Sequence, residues 1–209
     1  MLILSISDVH NGAISGERMY NEFFNQENSF FDILKELLIL DIFFGVVLTG
    51  DYFHNKLDLN SNESKVANSI ILQIFDYCKT YNKYFIILRG TFSHDFSQLD
   101  NFMYLTNTYD KFFILNTVTE LVLNTPYKDK FKILCIPEVY VENQDEFFKE
   151  YYKKKYDLIL GHGMFKYNSF ETSEGERNMP KMPIFDENKF LKMSPLSIFG
   201  HIHQHSIFK

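Results

Sequence analysis

Five short clusters, Asp8-Val9-His10, Gly50-Asp51 with His54, Gly90 through His94-Asp95, Gly161-His162 and Gly200-His201-Ile202-His203, hold six of the chain's seven histidines. Carboxylates and neutral imidazoles are ligands for divalent cations. Two such cations about 3.5–4 Å apart lower the pKa of a shared water and clamp the oxygens of a phosphate. That centre needs a carboxylate between the ions. Asp51 suits the place, because Gly50 before it lets the backbone turn tightly. Asp8 and His10, two apart on an extended segment, point the same way and can share one ion; His201 and His203 have the same relation. His162 adds another neutral nitrogen. His94, beside the cations but not bound to them, would protonate a leaving oxygen, with Asp95 next to it as an orienting partner. General-acid help of this kind is worth about 10²–10⁴ in rate.

Each motif alone has a plainer explanation. Asp-x-His and Gly-Asp recur in ordinary turns, and a single histidine after an apolar strand is commonly a core residue with its hydrogen bonds met. Five such motifs, each following an apolar run, are hard to reconcile with independent core histidines. His205 reads instead as solvent-exposed. The lysine-rich run 149–155 reads as a solvated helix end, where lysines favour the helix dipole, rather than as a DNA-binding patch.

The elements that must position these groups follow from periodicity. Residues 2–6, 43–48, 84–88, 158–160 and 196–199 are apolar runs that read as buried strands. Asn28-Ser29 offers a cap for an amphipathic helix over 30–40, and 63–81 carries a helical stripe through Val66, Ile70, Ile74 and Tyr77. This alternation predicts a mainly parallel sheet with helices on both faces. Parallel sheets gather their functional groups at the carboxyl ends of the strands, so five such ends converge on one crevice. The middle of the chain differs. Residues 111–115, 119–123 and 131–136 are short strand-like runs, the last two joined by a turn-rich link over 124–130, which suggests a second sheet packed on the first. A helix is expected over 143–155. Residues 163–183 are a long polar segment of weak pattern, a length associated with function or disorder.

At 209 residues, with 45% apolar and 23% charged content, the chain has the size and composition of one large soluble domain. No apolar stretch reaches about 18 residues, so no membrane span is expected. No basic leader is visible. Cys78 and Cys135 follow no metal or redox spacing and read as reduced core thiols of a cytosolic protein. The net charge of −6 is the wrong sign for holding nucleic acid by surface electrostatics alone. It leaves a nucleic-acid substrate open. Two divalent cations bring +4, Asp8 and Asp51 remove two, and a shared hydroxide removes one, leaving about +1 where a scissile phosphate would sit.

The ordered set resembles the calcineurin-like metallophosphoesterase superfamily, whose pattern runs D-x-H, G-D, G-N-H-D, G-H and G-H-x-H, and the match extends from Asp8 to His203. The resemblance implies an α/β fold, a two-sheet β-sandwich of mixed strands flanked by helices, spanning 1–209. It implies Asp8, His10, Asp51 and His203 on a first metal, Asp51, His162 and His201 on a second, and His94 as the acid or transition-state histidine. Gly50-Asp51-Tyr52-Phe53-His54 further resembles the G-D-x-F-H segment of SbcD-like DNA repair nucleases, in which the histidine at the place of His54 is a second catalytic one. That branch implies two divalent ions, Mn²⁺ or Mg²⁺, a DNA substrate cut exo- or endonucleolytically, a SbcC-like coiled-coil ATPase partner, a homodimer and a cytoplasmic setting in a bacterial cell or phage-infected host. The alternatives are a small-molecule phosphodiesterase or phosphomonoesterase, and a non-catalytic assembly subunit.

Two departures stand out. The family's metal-binding Asn is missing from Gly90-Thr91-Phe92-Ser93-His94-Asp95, leaving the hydroxyl of Ser93 or Thr91 as a weaker replacement and a loosely held second metal. This form is similar to phage-encoded SbcD-like variants. The chain also stops six residues after His203. SbcD-like proteins continue with further strands and a capping region, so a short, split or partial form lacking those parts is expected.

Overall fold

The protein, described as a computed structural model over residues 1–125, 128–165 and 184–201, is a sandwich of two four-stranded sheets. The first sheet holds β1 (Leu2–Ile6), β2 (Phe43–Thr49), β3 (Tyr84–Leu88) and β4 (Phe112–Leu115) in chain order, all parallel. The second contains β5 (Thr119–Thr125), β6 (Lys128–Ile136) and β7 (Leu158–His162). A short parallel pair, β8 (Met164–Phe165) and β9 (Ile184–Phe185), precedes β10 (Ser197–Gly200), which completes the second sheet. Its order is β10-β7-β6-β5, parallel except for the antiparallel β5–β6 pair.

Strand alternation builds the layers, because successive side chains leave a strand on opposite faces. Val47 of β2, Ile86 and Leu88 of β3, Ile133 and Cys135 of β6, and Leu158 and Leu160 of β7 meet between the sheets in one apolar core. Their neighbours point outward. Val46, Leu48, Phe85 and Ile87 pack under α2 (Phe30–Leu38), α3 (Asn62–Thr80) and the 3₁₀ helix Gln98–Asn107. Leu134, Ile136 and Ile159 pack against Phe148, Phe185, Phe190 and Met193 on the far side.

The helices therefore cover only one face of each sheet. A strictly alternating reading placed them on both faces of the first. With β1 to β4 ordered as in the chain, crossovers of one hand all fall on the same side, and the second sheet takes the other. Ser29 and Ser61 start α2 and α3 by accepting the N–H of Asp32 and Ser64. The helix expected over 143–155 shortens to α5 (Gln144–Phe148). The chain then turns so that the Tyr156 N–H reaches Met193 O and β7 can begin. Three short α-helices among the described residues went unread, α1 (Gly16–Tyr20), α4 (Phe92–Asp95) and α6 (Glu187–Met193), as did the 3₁₀ helix Gln98–Asn107 and the π-helical turn Asn21–Asn25. Most of the polar segment 163–183 and the tip of the 124–130 link lie outside the described residues.

Candidate metal centre

The ladder between β1 and β2 does not stop at the strand ends. The Asp8 N–H donates to Gly50 O (3.1 Å), His10 N–H to Asp51 O (3.0 Å), Asn11 N–H to Tyr52 O (2.9 Å) and His54 N–H to Asn11 O (2.9 Å). The Asp-x-His and Gly-Asp-x-x-His motifs thus enter the site as one paired ribbon. Asp8, His10 and Asp51 all take positive φ, at 53°, 49° and 50°. Left-handed backbone at such residues costs about 1–3 kcal/mol each and persists where the surroundings fix it, as these cross-strand bonds do. Gly50 has φ 94°, and a Cβ there would lie 2.2 Å from the Nδ1 of His162. Only glycine lets the two sheets close at this point.

From the second sheet, His162 ends β7 fully buried, with Nδ1 2.7 Å from Thr49 O. Nδ1 therefore carries the hydrogen toward the carbonyl, and Nε2 faces the cluster, the arrangement that orients metal-binding histidines. His162 Nε2 lies 3.4 Å from Asp51 Oδ2 and 3.2 Å from His201 Nδ1. The His201 N–H donates to both oxygens of Asp8, at 3.0 and 3.1 Å, tying the end of β10 to the loop after β1.

Three groups result, each with ligand atoms within 4.8 Å of one another: Asp8, His10 and Asp51; Asp51, His162 and His201; and His10, His54 and His94. Asp51 belongs to both carboxylate-bearing groups, the place of a bridging ligand. His54 and His94 reach the Nδ1 of His10 with their own Nδ1 atoms, at 3.4 and 3.0 Å. His203 and His205 lie outside the described residues.

Two expectations change. Ser93 is exposed on the short α4 turn, whereas Thr91 is buried, its N–H 2.5 Å from Asp51 Oδ1 and its hydroxyl 3.1 Å from Asp51 Oδ2. Asp95 does not serve as a partner aimed at His94. Its carboxylate is fully buried and accepts the N–H of Phe53 (3.0 Å) and of Gly90 (2.7 Å), bracing the Asp51 loop against the Gly90 loop. Burial pushes Asp95 up to about 6 against the pull of those two donors.

Sequence reasoning missed Glu138. It follows β6 after Pro137, carries no motif spacing, and its side chain is completely buried. Glu138 Oε2 lies 2.8 Å from Thr91 Oγ1, 3.5 Å from His162 Nε2 and 3.8 Å from His201 Nδ1. A lone glutamate after Ile-Pro gave no signal; only the folded sheet puts it opposite the Gly90 loop, where its N–H reaches Arg89 O at 3.1 Å.

The electrostatics of the site suit a cation. Burial opposes both charges of the Asp51–His162 pair, yet the pair forms. The hydrogen bond and charge of Asp51, then the charges of Asp8 and Glu138, push His162 up to about 9. His162, His94 and the Thr91 N–H hold Asp51 well below the usual carboxylate range. His162 Nε2 would exchange that proton for a divalent ion. Glu138 Oε1, buried and without a hydrogen bond of normal geometry among the described residues, is a second oxygen that a cation would satisfy. The oxygen and imidazole donors, with one carboxylate common to two groups, fit a pair of divalent cations.

Comparison with known proteins agrees with the geometry. Residues 1–205 match the model of the calcineurin-like phosphoesterase family. No curated protein matches the chain. Among solved structures, a protein of unknown function from Aquifex aeolicus is similar, at 16% identity over 84% of this chain and 82% of that one, with a TM-score of 0.32. Because the family model matches residues 1–205, nearly the whole length, the chain belongs to the calcineurin-like phosphoesterase family, whose work is metal-dependent hydrolysis of phosphoesters.

Proposed function

We propose that the protein is a divalent-metal-dependent DNA nuclease of the SbcD type, cutting phosphodiester bonds during end processing, recombination or repair. The observation that carries this reading is the histidine trio. His54 and His94 stand against His10 at the rim of the metal cluster, and His54 is exposed where Asp51, His162 and His201 are buried. Two imidazoles beyond the metal ligands, one open to solvent, suit a phosphate approached along a polymer. They also match the G-D-x-F-H segment that separates SbcD-like nucleases from protein phosphatases.

Two divalent cations, Mn²⁺ or Mg²⁺ in this reading, supply Lewis acidity when bound: they acidify water and neutralise charge on the phosphate oxygens. The chain's own groups do the rest. Asp8, His10 and Asp51 would hold one ion, and Asp51, His162 and His201 the other, with His203 reserved for the first. His94 shares one hydrogen with His10 across 3.0 Å, which fixes its ring and turns its other nitrogen outward to protonate the leaving oxygen. His54 stabilises charge on a non-bridging oxygen of the same phosphate. Thr91 and Asp95 hold Asp51 and its loop in place. A SbcC-like coiled-coil ATPase and a second copy of the chain are the proposed partners.

The test is cleavage of linear and single-stranded DNA with added Mn²⁺, comparing wild type with Asp51→Asn and His94→Ala. Cleavage by the wild type and its loss in both variants is expected; equal activity in all three overturns the reading. Turnover of a chromogenic bis-phosphodiester without DNA cleavage would move the substrate to a small molecule.

A further inference from the structure

We infer that Glu138 is a direct carboxylate ligand of the second metal, filling from the end of β6 the role that the family's absent Asn leaves open. The inference rests on the two-metal reading of the site and is independent of whether the substrate is DNA.

Three atoms from three other segments surround His162 Nε2: Asp51 Oδ2, Glu138 Oε2 and His201 Nδ1. The distances from His162 Nε2 are 3.4 Å to Asp51, 3.5 Å to Glu138 and 3.2 Å to His201, and Glu138 lies 3.8 Å from His201. An ion bound at about 2.1 Å sees neighbouring ligands about 3.0 Å apart at right angles and about 3.4 Å apart in a tetrahedron. The cluster is already near that spacing.

Hydrogen bonding accounts for a glutamate here only in part. Thr91 has one hydroxyl hydrogen, and the oxygens of Asp51 and Glu138 lie 3.1 and 2.8 Å from it, so it can serve only one of them. Glu138 Oε1 makes no hydrogen bond of normal geometry among the described residues although the side chain is completely buried, and the Tyr140 hydroxyl is the neutral donor beside this carboxylate. A buried carboxylate in that state is costly unless a cation balances it. His162 supplies at most one positive charge against two carboxylates. A divalent ion meets the whole deficit.

The loop around the absent Asn shows why another strand must contribute. Between Gly90 and His94 the segment is longer than the family's pattern, and Thr91 turns its N–H and hydroxyl onto Asp51. Thr91 becomes a brace between the two carboxylates, and the ligand comes from across the sandwich. The second site then carries one more negative charge than a site with Asn, so it holds its ion firmly.

The experiment is titration of the metal-free protein with MnCl₂, read by calorimetry and by the electron paramagnetic resonance of bound Mn²⁺, for wild type, Glu138→Gln and Asp51→Asn. Wild type should take up two ions and show a spin-coupled pair. Glu138→Gln should keep the first ion at unchanged affinity, lose about tenfold or more on the second, and show mononuclear Mn²⁺ at two equivalents. Asp51→Asn should weaken both. Two ions bound by Glu138→Gln with wild-type affinities overturns the assignment and leaves the metal centre standing; a wild type that binds no Mn²⁺ overturns both. If Glu138→Gln does not fold, anomalous diffraction from Mn²⁺-loaded wild-type crystals decides: an ion within about 2.1–2.4 Å of a Glu138 oxygen supports the assignment, and two ions both beyond bonding distance overturn it.

Discussion

The Nδ1 atoms of His10 and His94 lie 3.0 Å apart across 84 residues of chain. At that distance only one of the two nitrogens carries a hydrogen, so the contact joins a residue of the first metal group to the residue proposed to handle the leaving oxygen. His94→Ala should lower kcat by about 10²–10⁴ with two Mn²⁺ still bound. Turnover measured beside metal stoichiometry separates this from a loss of the ions, which would appear as an unfilled site.

His54 contributes differently. It is exposed, and its contact with His10 is longer, at 3.4 Å. His54→Ala should reduce DNA cleavage while sparing metal binding and thermal stability. A shift in the melting temperature comparable to that of a core substitution would assign it a packing role instead.

Gly50→Ala should damage the site without touching a ligand. The new methyl would stand 2.2 Å from His162 Nδ1, on backbone at φ 94°. The strain alone is worth about 1–3 kcal/mol, visible as a lower urea midpoint. Because His162 must swing away from Thr49 O, Mn²⁺ affinity should fall as well.

Metal removal should destabilise the fold. A ligand at a hundred times its Kd adds about 2.7 kcal/mol per site, so the melting temperature should rise with MnCl₂ and drop again on chelation. A melting curve indifferent to both would mean that the ions do not bind the folded state.

Acid should weaken the second sheet at one identifiable point. Asp157 precedes β7, and its carboxylate accepts the Lys132 N–H at 2.9 Å and pairs with Lys128. Partial burial favours the neutral acid, but the Lys128 hydrogen bond, the Lys132 N–H and both lysine charges outweigh it and depress its pKa. A depressed carboxylate stabilises the fold above its unfolded pKa of about 3.9, and that stability is lost as pH falls through the lower folded value. Asp157→Asn should lower stability at neutral pH and flatten the acid limb. The pair is partly exposed, so the effect is at most about 1 kcal/mol.

The convergence of Asp8, His10, Asp51, His162 and His201 was legible in the sequence because dinuclear chemistry restricts residue types, and because buried parallel strands are continuous apolar runs whose ends carry polar groups. β3 was read to the residue for that reason, and β1 likewise. Glu138 was not legible. Its importance comes from β6 lying beside β7, a pairing between strands 25 residues apart at Ile133 and Leu158 that no local pattern encodes. Asp95 was misread for a related cause: adjacency to His94 in sequence suggested a pair, whereas a one-turn helix sends its carboxylate inward to Phe53 and Gly90. The short α1 and α6 carry too few turns to show a periodic stripe.

The candidate ligands come from both halves of the sandwich, Asp8, His10 and Asp51 following strands of the first sheet, and His162 ending and His201 following strands of the second. During synthesis the first sheet can be complete by Leu115, with Asp8, His10 and Asp51 already made, yet the second group acquires its last partner only when His201 has left the ribosome. A nascent chain therefore carries the first group long before the second is assembled, and a centre that needs both would form only when the two ends of the polypeptide have found each other.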